Sequence, residues 1–346
     1  MARLEIAIIG CGYVTEGHLN AWRKVPQAKV IAVSDLNEKL AEKTAQRWKI
    51  PHHYRTLSEI LAQSRPNVVD ICTPPQTHAA IAIEAMKAGA NVLIEKPMTM
   101  TVNDAQAIFD CQKDTGVIVG VLHNWLFDEP ILAARSLVEK GVVGEVFGVN
   151  VEALNSQRDP MVVNKNHWSH SFPGGRLSEM LAHPIYLLRY FLGGDLEINA
   201  VQVSKIGNYD WMKFDEFSAI FKVGPKMGRA YVSFNSSRDA IYVSICGKEG
   251  IIKVDVINST LIVLPKMETS RFNKGLDSLR QASQLAKSAA RSAGKVMFRR
   301  WRTGHDNYIQ LFARSLINNG QPPVTVEDGL AVIKSLVAVC EKIEEG

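Results

Sequence analysis

No stretch of the 346-residue chain is both long enough and apolar enough to form a membrane-spanning helix. The only apolar run near the start, Leu4-Glu5-Ile6-Ala7-Ile8-Ile9, lasts a few residues and merges into Gly10-Cys11-Gly12, so it reads as a strand rather than a secretory signal. Cysteine is sparse. The five residues at 11, 72, 111, 246 and 340 are scattered and form no disulfide framework, which suits a reducing cytoplasm. No nucleic-acid-binding motif is recognisable either. What the chain does have is 46% hydrophobic residues, enough to build two ordinary domains with real cores.

The buried strand over residues 4–9 runs into Gly10-Cys11-Gly12 and then a helical segment, Val14 to Lys24. Two glycines let the backbone turn tightly and bring its amides near a pyrophosphate at a helix N-terminus. The third glycine of the usual pattern is missing, with Thr15 in its place and Gly17 two residues on, which allows the helix to sit farther from the strand. A second strand, Val30 to Ser34, ends in Asp35, where an acid would bind ribose hydroxyls and repel a 2′-phosphate, favouring NAD over NADP. The competing reading of Asp35 is a cap for the helix Asn37 to Trp48. Alternation continues through the strand Val68 to Cys72, the helix Thr77 to Ala88, the strand Asn91 to Ile94, the helix Val102 to Thr115 and the strand Val117 to Leu122. Such spacing implies right-handed crossovers and a doubly wound parallel sheet. A lysine directly after one of these strands, as in Glu95-Lys96-Pro97, projects into the crevice where such folds hold ligands, so Lys96 is the leading candidate for a catalytic group.

Beyond a helix from Pro130 to Lys140 the pattern changes. Short β-branched and aromatic runs divided by Gly, Asn or Pro turns lie at 145–153, 197–204, 216–223, 229–234, 241–246, 251–256 and 260–264, followed by a terminal helix over 326–343.

The combination of Gly10-Cys11-Gly12, Asp35, Thr73-Pro74-Pro75 with Thr77-His78, and Glu95-Lys96-Pro97 resembles the Gfo/Idh/MocA oxidoreductases, the glucose-fructose oxidoreductase and inositol dehydrogenase family. The likeness continues through His123-Asn124-Trp125-Leu126-Phe127, the stretch from Gly174-Gly175 to His183, and Gln321 to Gly329. It implies an α/β chain: an NAD-binding Rossmann domain, residues 1–122, and a C-terminal α+β substrate and oligomerisation domain, residues 123–346, on an open, mainly antiparallel sheet. It also implies a homo-oligomer. The cofactor contacts carried over are Gly10, Gly12, Tyr13, Val14, Asp35, Thr73, Pro74, His78, Glu95, Lys96 and Asn124.

In the resembled family the catalytic lysine works with an Asp and, four residues later, a His on a helix after a Gly-Gly turn; Glu179 and His183 occupy those positions here. Spacing of four puts both on one helical face, although an ordinary surface pair would look the same. The roles assigned on this basis are Lys96 as hydrogen-bond donor to the substrate oxygen, His183 as base, and Glu179 as orienter of the imidazole. Two departures bear on substrate choice: Tyr186 stands where a second acid is frequent, and Leu126 where a basic residue is frequent.

The polar segment Asn155 to Phe172 precedes the Gly-Gly turn. Arg158, Lys165, His167 and Trp168, together with Arg176 and Tyr186, are candidate contacts for a sugar, a sugar acid or a nucleotide-sugar diphosphate. His167 and His170 have no Cys or carboxylate at ligand spacing, so no metal is assigned. Between Ser270 and Thr303 nine basic residues face one acid, a net +8 within a chain of net +5, in a helix-like insertion with an alanine-rich stripe. The favoured reading packs that small-residue face on the enzyme or a partner subunit; the alternative is an anionic membrane surface. Two functional classes stay open. One is an NAD-dependent dehydrogenase acting on a CH–OH group of a sugar, cyclitol or nucleotide sugar, including members that recycle NAD within each turnover while processing glycosides. The other is a nucleotide-binding regulatory or scaffold protein without the chemistry.

Overall fold

A computed structural model describes residues 3–266, 271–298 and 300–345. Within the basic insertion, Ser270, Arg299 and the side chains of Arg271 and Lys274 lie outside the described residues. The chain forms two compact units, Met1–Asn124 with Thr303–Val337, and Trp125–Arg302 with Ala338–Gly346.

The first unit alternates strand and helix: β1 (Leu4–Ile9), α1 (Thr15–Arg23), β2 (Ala28–Ser34), α2 (Glu38–Trp48), β3 (His52–Tyr54), α3 (Leu57–Gln63), β4 (Val68–Ile71), α4 (His78–Lys87), β5 (Asn91–Glu95), α5 (Val102–Thr115) and β6 (Val119–Leu122). All strands pair in parallel in the order β3-β2-β1-β4-β5-β6. Ile6, Ile8, Val33, Val69, Ile71, Val92, Leu93 and Ile94 fill the core from continuous apolar runs, as expected of strands covered on both faces. The strand order reverses at the β1/β4 boundary, which places the ligand crevice at the carboxyl ends of the strands beside Gly10, Cys72 and Glu95.

One strand and two helices of this unit are absent from the sequence reading. Strand β3 is only three residues long and mostly exposed; α3 is announced by its capping box, Thr56 with Glu59. The third, a helix over residues 304–318, enters later in the chain and packs on β6. There, a Cβ at Gly120 would lie 2.8 Å from Phe312 and from the Tyr308 hydroxyl, so that strand needs glycine for the helix to approach.

The second unit contains α6 (Glu129–Glu139), β7 (Val146–Ser156), α7 (Pro160–Val163), α8 (Arg176–Leu192), β8 (Glu197–Ser204), β9 (Glu216–Val223), β10 (Lys226–Ser236), β11 (Ala240–Gly247), β12 (Gly250–Asp255), β13 (Thr260–Pro265) and α9 (Arg271–Met297). Its seven-stranded sheet runs β13-β12-β11-β7-β10-β9-β8, with every pair antiparallel except β7 with β10. The expected open, mainly antiparallel sheet is therefore present. Val149, Val151, Ala230, Val232 and Val243 face inward, and α8 packs on β7 and β10. The helix over 304–318 is α10 (Gly304–Asn318), and α11 (Val326–Glu345) follows it, belonging to the first unit up to Val337 and to the second from Ala338.

Within its own chain α9 does not pack through the small-residue face. Its alanine-rich side is exposed, and the half-buried side is polar: Asp277, Gln281, Gln284, Ser288, Ser292 and Lys295. Gln284 decides this by exchanging two hydrogen bonds with the backbone of Val263 in edge strand β13, at 2.8 and 3.0 Å, as a neighbouring strand would. Among the described residues no helix is long and apolar enough to cross a membrane.

Candidate active site

Gly10 leaves β1 at φ +93°, and a Cβ there would sit 3.0 Å from backbone atoms of Cys72 and Thr73, so only glycine fits between the two strand ends. Around Gly12 no atom lies within 4 Å of a Cβ position, so that side of the turn is open to a ligand. Thr15, the substitute for the third glycine, is buried and donates its hydroxyl to the Gly10 carbonyl at 2.8 Å, which closes the turn from within. Asp35 accepts the Cys11 amide at 2.9 Å and the Asn37 amide at 2.8 Å. The cap of α2 is Asn37, whose side chain accepts from Leu40, so the capping alternative for Asp35 falls. A cavity of about 800 Å³ opens beside Cys11, Gly12, Tyr13 and Val14, with Leu40, Lys43 and Thr44 across from them. A glycine turn that tolerates no side chain, an open face at Gly12, the first turn of α1 and a carboxylate pinned to the loop together fit a dinucleotide.

Thr73 and Pro74 follow β4 at the same edge of the sheet. Buried His78 holds them there: Nε2 lies 2.7 Å from the Thr73 carbonyl and Nδ1 3.1 Å from the Met98 carbonyl. Burial pushes its pKa down. A neutral imidazole donates to one of these carbonyls, the nearer being that of Thr73, and packs its other nitrogen against the segment following Lys96.

Lys96 is half-buried at the end of β5, and its amide donates to Glu95 Oε2 at 2.8 Å. The other Glu95 oxygen, Oε1, meets His18 Nε2 at 2.8 Å and His305 Nε2 at 3.5 Å. His18 Nδ1 in turn lies 2.8 Å from Asp70 Oδ2, which also accepts the Trp22 indole N–H at 2.7 Å. An imidazole with a carboxylate on each nitrogen donates from both and is an imidazolium. Burial opposes that charge, but Asp70 outweighs it and holds the His18 pKa well above its ordinary value. For Glu95, burial raises the pKa, and the bonds from His18 and His305 reverse this and hold it well below the carboxylate range. These side chains also satisfy the donor types of a metal site, but direct 2.8 Å contacts are the geometry of hydrogen bonds rather than of ligands spread around an ion. Both Glu95 oxygens are therefore engaged inside the unit, and its contribution to the site is to hold the backbone at Lys96. The sequence reading missed His18, Asp70, Trp22 and His305; His18 stands 77 positions from Glu95, and His305 comes from much farther along the chain.

In the second unit Gly174 and Gly175, both at positive φ, turn the chain into α8. A Cβ at Gly174 would lie 2.4 Å from the Ser178 hydroxyl, which is bonded to the Pro173 carbonyl. One turn into the helix Glu179 forms an ion pair with Arg176; a turn later comes His183. The His183 ring stacks on Trp125 at 3.9 Å and 13°, and its Nδ1 lies 2.7 Å from the Tyr186 hydroxyl, which also accepts the Trp125 amide at 3.0 Å. Tyr186 is only 2% exposed. Its place is beside the imidazole, where it fixes Nδ1. Asn124 opens the short 3-10 turn that carries Trp125.

The substrate candidates do not behave alike. Arg176 is buried between Asp159, at 3.6 Å, and Glu179, with its guanidinium over Phe234, and burial pushes its pKa down. His167 caps the 3-10 turn at Trp168 by accepting from Ser169, and burial with nearby Arg176 lowers its pKa to about 4, so it is neutral at physiological pH. Trp168 packs against His167 and Phe172. Arg158 and Lys165 are exposed cations on the same segment.

Comparison with known proteins agrees with this geometry. A model of the oxidoreductase family, NAD-binding Rossmann fold, matches residues 4–123, and a model of that family's C-terminal alpha/beta domain matches residues 135–346. Levoglucosan dehydrogenase of Pseudarthrobacter phenanthrenivorans is 29% identical over 213 residues, 58% of this chain and about half (54%) of that protein's length. Myo-inositol 2-dehydrogenase of Thermotoga maritima is 22% identical over 99% of this chain and 97% of its own. The fold is shared with the WlbA dehydrogenase from Bordetella pertussis, solved in complex with NADH and UDP-GlcNAcA, at a TM-score of 0.83 and 19% identity over 100% of this chain and 96% of that one. With both family models matched in order along one chain, the protein belongs to the Gfo/Idh/MocA oxidoreductase family, with an NAD-binding Rossmann fold followed by the family's C-terminal alpha/beta domain.

Proposed function

We propose that this protein is an NAD(H)-dependent dehydrogenase acting on a secondary alcohol, or the matching ketone, of a sugar, cyclitol or nucleotide sugar. The observation that carries this reading is Lys96, held by Glu95 at the carboxyl edge of the same parallel sheet that carries the Gly10 turn and Asp35. Bound nicotinamide supplies the hydride chemistry. For the chain's own part, Gly10, Gly12, Tyr13, Val14, Asp35, Thr73, Pro74 and Asn124 bind and orient the dinucleotide. Lys96 hydrogen-bonds the reacting oxygen, and His183 takes the hydroxyl proton at Nε2 while Tyr186 accepts from Nδ1–H. A lysine needs desolvation or a second cation to act as base near neutral pH, whereas an imidazole does not, which divides the roles this way. Glu179, paired with Arg176, supports the helical turn below the imidazole.

The substrate class rests on the relatives, which are named for levoglucosan and myo-inositol, and on the WlbA complex with its nucleotide-sugar acid. Exposed Arg158 and Lys165 beside Trp168 suit an anionic or diphosphate-bearing sugar. We further place the protein in the cytoplasm, in keeping with five free thiols, and as a homo-oligomer through the sheet face that exposes Phe147, Met227, Tyr231 and Tyr242.

Titration with NADH and NADPH, read as energy transfer from tryptophan to the reduced nicotinamide, tests the cofactor assignment. NADH should bind at least about ten-fold tighter than NADPH, and Asp35→Ser should erase most of that difference. Preference for NADPH would overturn the role of Asp35. A screen of cyclitols, sugar acids and nucleotide sugars for net NADH formation tests the chemistry. Product without net NADH would point to cofactor recycling, and dinucleotide binding without any turnover to a scaffold.

A further inference from the structure

Helix α9 meets its own unit with the side that amphipathic helices normally give to water. The half-buried positions Asp277, Gln281, Gln284, Ser288, Ser292 and Lys295 recur at three and four. They cover the edge of β13: besides Gln284, Ser288 accepts the Leu261 amide at 3.2 Å and Ser292 donates to the Ser259 carbonyl at 2.9 Å, while Lys295 pairs with Glu129. On the side away from the sheet stand Leu279, Leu285, Val296 and Met297, exposed by 69, 51, 60 and 72%, with Ala282, Ala286, Ala289, Ala290 and Ala293 between them. At about 100° per residue these positions fill one arc of about 140°. Exposed Arg280, Lys287 and Arg291, seven and four apart, form a single row about 60–100° beyond one edge of that arc, between it and the packed side, from which long side chains must reach back to meet what the stripe meets; exposed Phe298 follows at the helix end.

Charge identifies what covers this face. Between residues 275 and 298 the only acid is Asp277, which lies on the packed side and accepts from Gln281 at 2.7 Å. The outward face therefore offers aliphatic groups and cations and no anion. A second copy using the same face would bring no acid to the basic row, and antiparallel two-fold pairing would set the two rows on the same border. An anionic lipid surface supplies both complements at once, acyl chains for the stripe and phosphates for the row. The alanines alone bury too little area to seat a helix, but the bulk at Leu279, Leu285, Val296, Met297 and Phe298 is all exposed.

We propose that α9 docks the protein reversibly on an anionic lipid bilayer, with the Leu279–Met297 stripe lying in the interface and Arg280, Lys287 and Arg291 on headgroup phosphates. The test is co-sedimentation of the full chain with phosphatidylcholine vesicles and with phosphatidylcholine–phosphatidylglycerol vesicles, across a salt series. Binding should require the anionic lipid and weaken with salt. Each cation removed should cost about five-fold in partition, so Arg280→Gln, Lys287→Gln and Arg291→Gln together lose about a hundred-fold. Leu279→Ser with Met297→Ser should weaken binding while leaving the charge unchanged. Unaltered NADH affinity and melting temperature in these variants establish that the fold survives. Failure of the wild-type chain to bind anionic vesicles would overturn the proposal. So would equal binding by the triple variant, or an oligomer that dissociates in the Leu279→Ser, Met297→Ser variant and thereby puts a second copy on this face.

Discussion

Replacing His183 by alanine should slow turnover by about two to four orders of magnitude while leaving NADH affinity unchanged, because a general base contributes that much and His183 lies outside the unit that holds the dinucleotide turn. The imidazole is fixed from two sides. Trp125 stacks on its face, and Tyr186, itself pinned by the Trp125 amide, holds Nδ1. The assigned role requires the tautomer in which Nδ1–H donates to Tyr186, since that leaves the lone pair of a base on Nε2. Added imidazole should restore part of the activity of His183→Ala, an effect that no purely structural role would give. Tyr186→Phe should lower the rate by a smaller factor and displace the pH profile, since it frees the tautomer without removing the base. Undiminished turnover in His183→Ala would sink the assignment. Lys96→Gln keeps a donor but no charge; Lys96→Ala keeps neither and should lose about 10²–10³-fold.

The strands of both sheets were legible because each is a local pattern: apolar runs in the parallel sheet, alternation between turns in the other, with Gly10 and Asp35 at the strand ends. Strand β3 was not, since His52–Tyr54 carries neither signal, and α10 was hidden behind the basic insertion although Thr303 and Asp306 form a capping box at its start. The position of His183 on α8 could be read from spacing of four, and Tyr186, three residues on along the same helix, was within reach of the same argument; Trp125 was not, because it comes to the imidazole through tertiary packing. For α9 the periodicity disclosed a stripe without saying which side the enzyme would take; the Gln284 side chain, by completing edge strand β13, settled that in favour of the polar side. What stayed illegible is what depends on groups far apart in sequence, and the clearest case is the charge buried under Lys96.

His18→Leu should destabilise the protein by about 3–5 kcal/mol at neutral pH, since removing one member of a buried ionic cluster strands the others. His18 is fully buried, and without it Asp70 keeps its Trp22 and Cys72 contacts, while Glu95 keeps His305 at 3.5 Å and the Lys96 amide. The pH dependence follows from the two shifts. The His18 pKa is raised above 6.5, so its contribution is complete below that value and is lost as pH rises through the raised one. That of Glu95 is lowered below 4.5, so its contribution is complete above 4.5 and is lost as pH falls through the depressed value. Both shifted groups, His18 and Glu95, are therefore charged from mildly acid to neutral pH. His18→Leu lacks a contribution that wild type completes only as pH falls to 6.5, so the deficit should widen from neutral to mildly acid pH. Urea unfolding of wild type and variant at neutral and mildly acid pH measures this directly, and a deficit that is small or independent of pH would show that His18 is neutral and the cluster an ordinary hydrogen-bond network. Glu95 carries the same disturbance to the Lys96 amide, so His18→Gln, which keeps a polar side chain of similar size, should recover part of the stability and part of kcat/KM together.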